Sequence, residues 1–183
     1  MFKEYDVIVV GAGQGNAAIA ALPARIAPLA RRLRALGGVV ISTHFTLIPG
    51  RDGEPLIDAH LRHLRPFLGR GDFAPGSWGQ ALVEELQPAD FSVEKVAYSA
   101  FHQSRLEWVL RKAGVTRLLV CGIVTNGGVA STVRDAHVRD IEVAVLKDGC
   151  AAFTPSVHEA ALEGLKPVAK IADIQTIMST ERC

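Results

Sequence analysis

"LLVCGIVTNGGVASTVRDAHVRD", residues 118–140, packs a strand, a glycine-bearing turn and a helix into one run. Residues 117–122 (RLLVCG) form a short apolar segment, 128–139 carry a helical pattern, and Asn126-Gly127-Gly128 marks the junction. A strand passing straight into a helix is the repeating unit of a parallel α/β sheet. Outward from this run the same alternation fills the chain. Strands are expected at 6–11 (DVIVVG), 38–43, 92–96, 141–146 and near 168–172, with helices at about 17–36, 79–86, 101–113 and 156–165. In 101–113, Phe101, Leu106, Val109 and Leu110 share a face, and Ala113-Gly114 supplies a stop. Short β-rich runs separated by helices predict a parallel sheet with helices on both faces. The stretch 45–78, rich in Gly and Pro and without clear period, reads as a functional loop over the carboxyl edge of that sheet.

A chain of 183 residues fits a single domain, 1–183, large enough to bury a substantial core. Formal net charge is +1, so nothing points to nucleic acid, and Arg31, Arg32 and Arg34 read as one solvated helix face. Those arginines, with Arg25 and two prolines, exclude a membrane span in 17–36, and Glu4 and Asp6 are wrong for a signal peptide. Cys121, Cys150 and Cys183 have neither zinc nor disulfide spacing. Cys121 and Cys150 read as small core residues, in a reducing and hence cytoplasmic compartment. No metal and no cofactor is expected.

"VIVVGAGQGNAAIA" (7–20) poses a separate question. A dinucleotide cradle wants Gly-x-Gly-x-x-Gly and an acid at the end of the next strand. Here Gly11 and Gly13 fit, Asn16 stands at the third position, and the second strand ends Ser42-Thr43-His44. A tight strand-to-helix turn is the better reading.

From Val93 to Val157 the chain resembles the isochorismatase-like hydrolases, the cysteine hydrolase superfamily. The resemblance rests on "VEKVAYSAFHQSRLEWVLRKAGV" (93–115), the opening run at 118–140 and "VLKDGCAAFTPSVHEAAL" (145–162), with weaker matches at "THFT" (43–46) and "SWGQALVEEL" (77–86). It implies a Rossmann-like, three-layer α/β/α sandwich around a mostly parallel six-stranded sheet, and assembly as a homo-oligomer, a dimer or higher. It also implies a site in which an Asp, a Lys and a Cys attack a carbonyl, with backbone amides stabilising the oxyanion. Lys95 matches the family lysine. A cis peptide is implied between Ile123 and Val124, with the Val124 and Gly128 amides lining the oxyanion hole and Asn126 and Gly127 completing the turn. Tyr98, Phe101 and Trp78 are candidate binding residues.

Two positions depart from the pattern. The nucleophile position is Gly128, and the carboxylate position is Ala12, with no acid anywhere between Asp6 and Asp52. Asp6 lies about 17 Å in extended chain from the strand's catalytic end. The isochorismatases proper also carry glycine at the nucleophile position, but they keep the acid, and the arginine found two residues after their lysine is Ala97 here. His44 reads as a polar loop residue, His60 and His63 as solvated, and His158 as structural, following the helix start Thr154-Pro155. Three functions remain open. They are a hydrolase of a small carbonyl, amide or vinyl-ether compound with an altered site, an inactive family member that binds a small and perhaps anionic ligand or assembles, and a dinucleotide-binding oxidoreductase.

Overall fold

The computed structural model describes residues 7–11 and 17–180. Among these residues six strands run β1 (Val7–Gly11), β2 (Val39–Phe45), β3 (Phe91–Lys95), β4 (Arg117–Ile123), β5 (Glu142–Ala151) and β6 (Lys170–Ala172). The helices are α1 (Ala17–Ala20), α2 (Leu22–Ala35), α3 (Ala59–Leu64), α4 (Leu106–Lys112), α5 (Ala130–His137), α6 (Pro155–Glu163) and α7 (Ile174–Thr180). Ala12, the candidate carboxylate position, lies outside the described residues, as do Gly13 and Gly15.

The strands form one sheet in the order β3-β2-β1-β4-β5-β6, each neighbouring pair parallel. The chain moves outward from β1 to β3, then jumps back to place β4 beside β1. That reversal is the switch point at whose carboxyl edge open α/β sheets bind ligands.

Local chemistry explains why α2 forms. Pro23 sits in its first turn, Ile26, Leu29, Ala30 and Leu33 bury one face, and Arg32 and Arg34 lie in its last turn beside the negative end of the dipole. Gly37 ends it with φ 78°, and Gly38 N–H donates to Leu33 O. The buried face packs on β2 and β5 and meets α7. Arg139, just beyond α5, pairs with Glu107 of α4, and Arg134 of α5 donates to Gly164 O at the end of α6. Right-handed crossovers put these two groups of helices on opposite faces. Between them Ile41, Leu118, Leu119, Ala144, Val145 and Leu146 are fully buried, each large side chain contributing roughly 1.5–3 kcal/mol. Among the described residues no helix is long and apolar enough to cross a membrane.

Two expected helices differ. The helix expected at 79–86 is an irregular segment with one 3-10 turn, Glu84–Leu86. Gln80 there is held by tertiary bonds, its amide donating to Thr46 Oγ1 (2.7 Å) and accepting from Gly76 N–H (2.8 Å). The helix expected at 101–113 begins at Leu106 because Ser104 competes for its first turn. The Ser104 hydroxyl donates to Ala100 O and accepts from Leu106 N–H, while Gln103 has φ 49°. Phe101 therefore sits in a turn before α4, not on it. Strand β5 extends beyond 146 to Ala151, with a register shift against β4 between Val120 and Gly122. The helices α3 and α7 had no clear periodic signal.

Candidate active site

Lys95 closes β3, pairs in register with Phe45 and is 8 % exposed. Its Nζ donates to Ala97 O (2.9 Å) and Tyr98 O (3.1 Å) and stands 5.5 Å from the centre of the Phe45 ring. Burial, and then the Arg65 guanidinium, lower its pKa from 10.5 to about 8. Arg65 itself lies 4.6 Å from the centre of the Tyr98 ring. The site is thus electropositive, a setting suited to a ligand with negative charge or a polarised carbonyl.

The turn after β4 carries the second half of the site. The Ile123–Val124 peptide is cis, as the resemblance implied. Residues Thr125–Val129 form a π-helical turn leading into α5, and Gly127 and Val129 N–H both donate to Val124 O. The turn carries Gly128 back toward Lys95. A Cβ built on Gly128 would lie 3.6 Å from Lys95 Nζ and 3.5 Å from both Ile123 O and Tyr98 O, which is ordinary contact. Gly127 has no such room: a Cβ there would meet Val124 Cγ2 at 2.9 Å and the Tyr98 ring at 3.4 Å.

A cavity of about 10 Å³ lies between them, its described walls including Thr43, Lys95, Cys121, Gly128 and Thr132. Cys121, expected as a small core residue, is buried and also forms part of this wall. The chain reverses after β4, so residue 128 folds back over the strand that carries Cys121. Burial pushes the Cys121 thiol well above its ordinary value, so it stays protonated, and Cys150 is pushed up to about 12. Thr132 Oγ1 accepts from Ala100 N–H (2.9 Å), tying α5 to the loop that caps Lys95. Neither Arg65 nor Thr132 carried a local signal in the sequence.

The remaining candidates divide. Tyr98 belongs to the site through its carbonyl, and its ring packs over Gly127. Asn126 is exposed and Val124 half-buried in the turn. Phe101 is core, lying under the Arg139 guanidinium at 4.7 Å. Trp78 is 80 % exposed and lines a separate cavity of about 240 Å³ with Leu82 and Gln87. His44 accounts for both ring nitrogens, with Ser42 Oγ and Gln80 O each at 2.7 Å. His60 and His63 are exposed on α3. His158 does more than the sequence indicated: its Nδ1 lies 2.7 Å from Oγ1 of the fully buried Thr125, inside the π-helical turn. No cluster of three or more metal-binding side chains occurs among the described residues.

Comparison with known proteins gives a consistent picture. The family model described as the isochorismatase domain matches residues 5–177. The ureidoacrylate amidohydrolase RutB of Methylorubrum extorquens is 34 % identical over 125 residues, 64 % of this chain and 50 % of the relative. The chain therefore spans about half the length of such curated relatives. Among solved structures, an isochorismatase-like hydrolase from Alkaliphilus metalliredigens superposes with a TM-score of 0.80 at 22 % identity, covering 97 % of this chain and 100 % of that one. A cysteine hydrolase from Pseudomonas syringae pv. phaseolicola gives 0.80 at 24 %, covering 96 % and 93 %.

Proposed function

Since the chain belongs to the isochorismatase domain family, we propose that it hydrolyses a small carbonyl, amide or vinyl-ether compound without a cysteine nucleophile. One observation carries this reading. The Lys95 amine is presented 3.6 Å from the place of a Gly128 Cβ, at a position with room for a side chain but no thiol. The amidohydrolase and hydrolase names of the relatives support the reaction class, and the positive charge of Arg65 acting on Lys95 favours a substrate that carries negative charge. Gly128 and Ala12 stand, in this reading, where related enzymes hold cysteine and aspartate.

A second reading, a family member that binds without turnover, is favoured by the groups that act on Lys95. They are burial and another cation, with no acid among the described residues as a cause. Alongside either, we propose a homo-oligomer in the cytoplasm, where the buried thiols of Cys121 and Cys150 would stay reduced.

The test is hydrolysis of nicotinamide, a ureido acid and a small vinyl ether, before and after treatment with iodoacetamide. The expected result is turnover that alkylation leaves unchanged. Turnover lost on alkylation would overturn the thiol-free reading. Ligand-dependent stabilisation with no turnover would establish the binding reading instead.

A further inference from the structure

We infer that Lys95 is the general base of this site, taking a proton from a single water held over Gly128 so that this water attacks a substrate ester or amide carbonyl. The inference rests on the proposed hydrolysis without a thiol and names the nucleophile and base that such a site would use.

Donor geometry is the first support. A neutral amine has two N–H groups and one lone pair. Ala97 O and Tyr98 O accept from Nζ at 2.9 and 3.1 Å, which occupies both donors. The remaining tetrahedral position is left for the cavity that Lys95 lines with Gly128. Size is the second support. At about 10 Å³ the cavity has room for one water. Thr43 and Thr132 add hydroxyl groups to its wall; Thr132 Oγ1 accepts from Ala100 N–H, so its own proton is available to donate. Burial then populates the neutral amine near physiological pH, the range in which a general base works best.

The step balances as follows. The Nζ lone pair takes one water proton while the water oxygen bonds to the carbonyl carbon and the C=O π pair moves to oxygen. The tetrahedral species collapses, re-forming C=O and breaking the bond to the amine or alcohol. The leaving group takes the proton back from the Lys95 ammonium, giving carboxylic acid and amine or alcohol with Lys95 neutral again.

p-Nitrophenyl acetate serves as probe, with wild type compared to Lys95→Met, Lys95→Gln and Lys95→Arg and each fold checked by circular dichroism. The expected result is multiple-turnover hydrolysis that rises with pH toward a plateau above about pH 8 and is insensitive to iodoacetamide. It should fall about 100-fold or more in all three variants. Lys95→Arg retaining wild-type activity would overturn the inference, because charge alone would then suffice. A stable acetyl group on Lys95, found by mass spectrometry, would overturn it by making the amine itself the nucleophile. Wild-type hydrolysis no faster than that of Lys95→Met overturns it as well. Loss of activity on alkylation points instead to a cysteine and sinks the thiol-free reading beneath it. Thiol-independent turnover that survives Lys95→Met removes only the role of Lys95.

Discussion

Between about pH 8 and 10.5 the folded and unfolded chains bind different numbers of protons at Lys95. Below that window both forms are protonated, and the folded chain carries the full penalty of a buried ammonium, about 3 kcal/mol. Inside it the unfolded chain holds the proton that the folded chain has released. Lys95 therefore makes stability rise with pH until the penalty is gone near 10.5. Cys121 and Cys150 act in the opposite sense: their folded pKa values are raised, so unfolded thiols ionise first and stability falls above about pH 9. Subtracting Lys95→Met from wild type cancels the thiols. Met loses the bonds to Ala97 O and Tyr98 O at every pH, so the pH-dependent part carries the test: its stability relative to wild type should fall by about 3 kcal/mol between pH 8 and 10.5. Urea midpoints across that range measure it. A difference that stays flat with pH would show that Lys95 is not a desolvated cation.

Among the elements, the π-helical turn Thr125–Val129 matters most, because it carries Gly128 to Lys95. Its conformation is held from within by the two bonds to Val124 O and from outside by His158 of α6. Thr125 is fully buried, so removing its hydroxyl leaves the imidazole short of a partner. Thr125→Val is expected to cost about 1–3 kcal/mol. His158→Ala should lose a similar part, and the double variant should be less damaged than the sum of the two. Thermal unfolding of all four proteins measures the coupling, and strict additivity would show that the pair does not hold the turn.

For the whole molecule, the question is what covers its exposed apolar surface. Leu56, Leu64, Phe67 and Trp78, all from the loop-rich region between β2 and β3, are exposed, and so is Phe153 after β5. Large exposed apolar side chains gathered on one segment are what an interface between copies would bury. Light scattering at micromolar concentration should therefore give a multiple of 19.6 kDa. A mass equal to the single chain would refute the homo-oligomer.

Periodicity made the alternation of strands and helices legible, because apolar spacing along a segment is a local property. The family motifs likewise pointed to Lys95, the cis turn and Gly128 as one candidate site, since the residues carrying each lie within a few positions of one another. Local pattern failed where one side chain outbid it, as Ser104 did at the start of α4 and Gln80 did within 79–86. It was silent on Arg65 acting on Lys95, on Cys121 in the wall beside Gly128, and on His158 bonded to Thr125. Each of these joins positions far apart in the chain. Their proximity follows from parallel strands brought together by crossover helices, and the Lys95 pKa follows from burial that exists only once the sheet is covered.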